Sequence, residues 1–302
     1  MIQIESVEHR CADGRKIQCW LNRPPAPVVP SATAILTPGF ARRMHQHSAL
    51  AQYLVANGVG VVRFDSLDHL GLSDGDIADY TLSAGLLSLE AGVAVARRAF
   101  PGTSCSLVAT SLTSRIALRY LHRDTSVARL IALSGVVNVR KTFEEAVEQD
   151  YFGYAEADLP EYVEFASKSI RTLPLFRDSW RHDWLSLETT LGEIAALSTP
   201  IHWFVGSDDD WIDREEIAAC QAANPARFTL TWLTSCGHDI SRNSSAARAM
   251  LKRIVALCSG SETLEEGAVI EPNYNALLKI ALDERRIQRA SNVENRAAVA
   301  GR

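Results

Sequence analysis

Hydrophobic positions along this chain fall into short continuous runs, separated by longer stretches in which apolar residues recur every three or four positions. The runs at 32–37, 59–64, 105–109, 130–134, 201–205 and 228–233 have the length and composition of buried strands. Residues 47–57 carry Leu50, Tyr53 and Leu54 on one helical face, and 82–98 carry Leu86, Leu89, Val93 and Ala96. Two further helices are expected at 112–122 and 244–257. Apolar strands alternating with amphipathic helices predict a mostly parallel central sheet with helices on both faces. At the start, residues 2–11 and 16–21 flank Asp13-Gly14, a hairpin signal.

The alternation stops between Lys141 and Leu197. That stretch is helical in pattern, rich in Phe, Tyr and Trp, and contains no convincing strand. It predicts a helical insertion over roughly 140–195, a cap on the rim where loops gather, against the plainer reading of a helical excursion with no gating role. From Glu262 onward the chain predicts a charged helix at 277–289 and a polar terminus that frays. No repeat divides the sequence, so residues 1–302 are expected to form a single domain.

Composition narrows the function. With 302 residues, 47% hydrophobic and 22% charged, the chain can bury a full core and is not broadly disordered. A net charge of −5 gives no reason to expect nucleic-acid binding. No apolar run has the length of a membrane span, and Met1-Ile2-Gln3-Ile4-Glu5 lacks a basic start followed by an apolar stretch; the expectation is a cytoplasmic protein. The six cysteines have no paired spacing and are expected to be reduced. Cys236 lies near His238, but one Cys and one His fall short of a zinc site, so no metal is expected.

The chemistry concentrates at three strand ends. Ser111 stands between the strand run at 105–109 and the helix run at 112–118, which is the strand–nucleophile–helix order of an α/β-hydrolase. Its flanks are Ala109 and Thr113 where the usual elbow has glycines, and Thr113 demands more room. A serine before a helix is often only an N-cap. Two later segments argue otherwise. Gly206-Ser207-Asp208-Asp209-Asp210-Trp211-Ile212 follows a strand and fits G-x-x-D-x-x-[VI] with Asp209 as the acid; Asp208 or Asp210 could instead cap the next helix. His238 follows the last strand, and Gly237 before it would let that loop approach the nucleophile. The order Ser…Asp…His makes His238 the general base toward Ser111, oriented by Asp209.

An oxyanion hole is expected from the Leu112 N–H, beside the nucleophile, and the Phe40 N–H in the loop Pro38-Gly39-Phe40-Ala41-Arg42-Arg43. The Asp- and Gly-rich stretch at 65–75 lacks a phosphate-binding pattern and is taken as structural. Arg42 and Arg43 are expected near the mouth, where guanidinium groups suit a phosphate or an acidic protein surface; the plainer alternative is one bracing arginine and one solvated one.

Several strings carry a family resemblance: Gly39-Phe40-Ala41-Arg42-Arg43-Met44, Arg63-Phe64-Asp65-Ser66-Leu67, His69-Leu70-Gly71-Leu72-Ser73 and Ala109-Thr110-Ser111-Leu112. Val136-Val137-Asn138, Asp209-Asp210-Trp211, His238-Asp239, Ile270-Glu271-Pro272 and Glu284-Arg285-Arg286 continue it in order. The chain resembles the acyl transferases of bacterial luminescence operons, which are myristoyl-acyl-carrier-protein thioesterases that pass fatty acyl groups toward a reductase complex making long-chain aldehyde. The resemblance implies Ser111, Asp209 and His238 as the triad, and a similar non-glycine elbow. It implies acyl carrier protein or acyl-CoA as donor, with a fatty acid reductase complex as a further partner, and no cofactor. The rival expectations are a carboxylesterase acting on small esters with the same triad, and a non-catalytic binding member of the fold.

Overall fold

The computed structural model describes residues 4–260 and 268–300, with side chains described through residue 291. The expected frayed terminus and the start of the tail at 262 fall partly outside these residues. An eight-stranded sheet runs in the order β1-β2-β4-β3-β5-β6-β9-β10. Its strands are β1 (Ile4–Arg10), β2 (Lys16–Asn22), β3 (Ala32–Thr37), β4 (Val59–Phe64), β5 (Ser104–Thr110), β6 (Arg129–Leu133), β9 (Ile201–Gly206) and β10 (Phe228–Leu233). β1 and β2 pair antiparallel, as does β2 with β4, and the remaining pairs are parallel. The central strands β3, β4 and β9 are buried at every position, which is why they read as unbroken apolar runs.

Helices cover both faces. α1 (Ser48–Ala56) and α8 (Ser244–Cys258) share one core with β3 residues such as Leu36. α2 (Leu82–Ala99) and α3 (Leu112–Arg123) share the other with Ile35 and Leu107. The alternation of Ile35 and Leu36 between the two cores is the two-residue period of the strand. Thr81 caps α2 by accepting the Ala84 N–H at 3.2 Å. All six cysteines are free, and none of the described helices is long and apolar enough to cross a membrane.

The 140–195 segment differs from expectation. It holds α4 (Val139–Val147), α5 (Thr172–Arg181) and α6 (Leu187–Ala196), but also a two-stranded hairpin, β7 (Tyr162–Phe165) and β8 (Lys168–Arg171). Val163 and Phe165 turn inward while Tyr162 and Glu164 face out, so the strand period is present in only four residues. The turn is made by Ala166 and Ser167 at φ 47° and 59°, left-handed geometry without the usual Gly or Asn, and the turn signal was therefore absent from the sequence. The aromatic side chains pack on one another: Phe143 stacks on Phe165 at 4.9 Å and Phe152 on Phe176 at 4.1 Å. α6 packs back onto the sheet-flanking layer, where its Glu193 is buried against Arg115 (2.5 Å) and Arg119 of α3.

The final helix is longer than the predicted 277–289: α9 spans Tyr274–Ala300. It packs against α1 and the turn at Met44–His47 after β3. Glu284 forms a two-pronged ion pair with Arg63 of β4 at 2.7 and 2.8 Å, and Arg63 also donates to the Asn22 side chain. Both charges are fully buried. Gln288 donates to Asp65 at 2.6 Å and its amide oxygen contacts His45.

Candidate active site

The turn from β5 into α3 puts Ser111 at φ 55°, ψ −126°, a conformation unfavourable for any residue but glycine. Strand pairing holds it there. The Ser111 N–H donates to the Leu133 carbonyl at 2.9 Å, and the Ser111 carbonyl accepts the Val136 N–H at 3.2 Å. Thr113 has a use that its size did not suggest. Its hydroxyl donates to the Thr110 carbonyl at 2.9 Å, accepts the Thr110 N–H at 3.1 Å, and meets the Thr37 hydroxyl at 2.8 Å. A branched hydroxyl residue thus ties the elbow to β3 where glycine would merely fit.

The Ser111 hydroxyl does not cap α3. It lies 2.9 Å from His238 Nε2, and His238 Nδ1 lies 3.0 Å from each Asp209 carboxylate oxygen. The Asp209 carboxylate is inaccessible to solvent and also accepts the Trp211 N–H at 3.1 Å. The Trp211 ring packs 4.6 Å from the His238 ring. Asp208 is taken up by the Ser207 hydroxyl at 2.7 Å, and Asp210 is exposed. Neither caps α7 (Arg214–Ala223): that cap is Asp213, accepting the Glu215 N–H at 2.7 Å. The histidine loop does reach the nucleophile, through His238, but the tight backbone contact lies at Gly206 against Cys236 and not at Gly237. A Cβ on Gly237 would meet only ordinary contact at 3.4 Å, whereas one on Gly206 would lie 2.2 Å from the Cys236 carbonyl oxygen.

The loop after β3 approaches the elbow closely, though less tightly: a Cβ on Gly39 would lie 3.3 Å from the Thr110 carbonyl and 3.7 Å from Ser111 Cβ. Ala41 sits at φ 56°, and its N–H is held at 2.9 Å by His69 Nε2. Burial keeps His69 neutral by lowering its pKa to about 4, so the ring nitrogen stays an acceptor. Asp65 accepts the Met44 N–H at 2.8 Å and the Leu72 N–H at 2.9 Å, while burial pushes its carboxyl up to about 7. The 65–75 stretch therefore braces the loop after β3, where the oxyanion donors are expected, from below. Sequence reasoning assigned it a structural role but gave His69 no task.

The two arginines part company. Arg42 is half-exposed, lines the cleft over Ser111 and reaches Asp239 at 3.5 Å. Arg43 does not line that cleft; its Nε is buried, and its charge acts on Asp65 and His69. The second cation at the cleft is Lys168, from the hairpin the sequence did not reveal. The cleft has a volume of about 570 Å³, within the roughly 300–1,000 Å³ of small-molecule sites. Leu50, Ile240, Met250 and Leu251 form its apolar wall.

A family model described as acyl transferase matches residues 3–295. The acyl transferase of Shewanella hanedai is 32% identical over 283 residues, covering 91% of this chain and 91% of the relative. That of Aliivibrio fischeri (strain MJ11) is 33% identical over 304 residues, covering 96% and 95%. Among solved structures, an esterase from Pyrococcus furiosus superposes with a TM-score of 0.64 at 18% identity, over 86% of this chain and 93% of that one. Est1E from Butyrivibrio proteoclasticus gives 0.65 at 15%, over 87% and 99%. At such identities these likenesses speak for the fold, that of the α/β-hydrolases. The sequence relationship says more, because the family match spans residues 3–295 and the relatives exceed 30% identity over nine-tenths of the chain: the chain belongs to the acyl transferase family.

Proposed function

We propose that this protein cleaves long-chain acyl thioesters through an acyl-Ser111 intermediate, with Asp209 and His238 completing the triad. The observation that carries this is the 2.9 Å contact from His238 Nε2 to Ser111 Oγ, on a histidine whose other nitrogen faces the buried Asp209. Ser111 Oγ attacks the thioester carbonyl carbon as its proton passes to His238 Nε2. The resulting oxyanion is held by the N–H groups of Phe40 and Leu112. Collapse breaks the carbon–sulfur bond, and His238 returns the proton to the departing thiolate. Water or an acceptor, deprotonated by the same histidine, then releases the acyl group.

The donor in this reading is acyl carrier protein or acyl-CoA, and the released acyl group feeds a fatty acid reductase complex that makes aldehyde for luminescence. The 140–195 segment serves as a cap within one α/β-hydrolase domain. A carboxylesterase of small esters is the second reading, favoured by the near closure of the apolar space under the cap, which measures about 20 Å³.

The test is intact-protein mass spectrometry after incubation with acyl-carrier-protein and acyl-CoA thioesters of graded length. An acyl mass on the wild type that is absent from Ser111→Ala supports the proposal. Equal labelling of both proteins, or turnover of short esters alone, overturns it.

A further inference from the structure

Two cavities meet at Ser111, divided by a wall that both share. Ser111, Phe165 and Trp211 line each of them. The cleft of about 570 Å³ carries charge at its mouth, with Arg42, Lys168 and Asp239. The second space, lined by Leu82, Leu112, Val136, Phe143, Phe152 and Leu175 among others, measures about 20 Å³, room for about one water. A thioester bound at Ser111 has two arms, one hydrocarbon and one polar. The polar arm must reach solvent, and only the cleft is both roomy and charged.

Resting on the acyl-serine reading above, we propose that the fatty acyl chain enters the small apolar cavity by displacing Phe165, and that Phe165 sets the chain length accepted. Of the two wall residues Trp211 is tied to the triad, since its N–H donates to Asp209 and its ring packs on His238. Phe165 ends a four-residue strand of a hairpin that pairs with no other strand. Such hairpins are marginal on their own. Ala166 and Ser167 directly after it are both left-handed without being glycine, so the turn stores strain that movement releases. The Phe165 ring is held by ring contacts, at 4.9 Å to Phe143, 4.9 Å to Phe40 and 6.0 Å to Trp211. Beyond it Phe152, stacked on Phe176, supplies a further apolar face against which an alkyl chain can lie.

The experiment compares kcat/KM for acyl-CoA thioesters from butyryl to palmitoyl in the wild type, Phe165→Ala, Phe165→Leu and Met250→Trp. Met250 lies on the cleft wall, away from the small cavity. Each buried methylene is worth roughly fourfold. Admitting two or three more carbons should move the long-to-short ratio of the Phe165 variants by about fifteenfold to sixtyfold. Met250→Trp should lower all chain lengths alike. An unmoved profile in acylated Phe165 variants, or a profile reshaped by Met250→Trp instead, overturns the assignment. Phe165→Leu keeps an apolar filler and guards against misfolding. A wild type that never gains an acyl mass on Ser111 would overturn the acyl-serine reading and this one with it. Acylation with an unchanged profile overturns only the role of Phe165.

Discussion

Gly206 and Cys236 stand so close that a methyl group on the first would lie 2.2 Å from the carbonyl oxygen of the second. This contact laces the acid loop to the histidine loop. The Asp208 N–H donates to the same Cys236 carbonyl at 2.8 Å, and the Ser235 N–H donates to the Ser207 hydroxyl at 2.9 Å. Gly206→Ala must spread the two loops and pull His238 off Asp209. A misplacement of about 1 Å costs about a hundredfold in rate. Stopped-flow acylation should show that loss while circular dichroism shows a folded protein.

Asp209→Asn should cut kcat by roughly 10⁴-fold, since the amide presents the wrong partner to His238 Nδ1. Asp210→Asn should be close to neutral, because that side chain is exposed and off the relay. Reversed behaviour in steady-state assays would mean that the acid is misassigned.

The oxyanion loop should report on His69. His69→Phe leaves the Ala41 N–H without its acceptor and should lower kcat by about tenfold to a hundredfold with little change in KM. The same histidine shapes acid stability. Its pKa is lowered from 6.5 to about 4 in the fold, and His47 behaves likewise. As pH falls below 6.5 the unfolded chain takes up these protons first, so stability is full above that value and is lost progressively down to about 4. Thermal melts across this window should be flatter for His69→Phe than for the wild type.

Arg42 and Lys168 share the cleft mouth, and Arg43 does not. If the donor docks there through an acidic carrier, Arg42→Ala with Lys168→Ala should raise KM for acyl-carrier protein sharply and spare a small aryl ester. Added salt should weaken carrier binding more in the wild type than in this double variant. Arg43→Ala should instead reduce both activities together, through the Asp65 and His69 brace. Equal losses on both substrates in the double variant would remove any docking role.

Glu284→Ala strands Arg63, a wholly buried cation, and should cost about 3–5 kcal/mol in urea unfolding. Gln288→Ala, which removes a donor from Asp65, should cost about 1–3 kcal/mol. Destabilisation below 1 kcal/mol in both would mean that α9 is not integral to this fold.

Much of this architecture was legible because the central strands are buried on both faces, so that each appears as a block of apolar residues. That Ser111, Asp209 and His238 would meet was legible because each follows such a block. What escaped reading was local and small. The β7–β8 hairpin turns through Ala166-Ser167, which carries no turn signature. A division between a bracing and a solvated arginine was among the readings, but which of Arg42 and Arg43 turns inward depends on buried partners more than 20 residues away, beyond the reach of any local pattern. The task of Thr113 lay in its hydroxyl, whereas the sequence invited attention to its bulk.

The ties from Glu284 and Gln288 to Arg63 and Asp65 also order events in time. A ribosome delivers Ser111, Asp209 and His238 before it delivers the helix that steadies the loop beside them. A chain in which α9 has yet to form lacks the partners that Glu284 and Gln288 give to Arg63 and Asp65. α9 thus links a late stretch of the chain to the loop beside Ser111, so that a load on that helix bears on the candidate site.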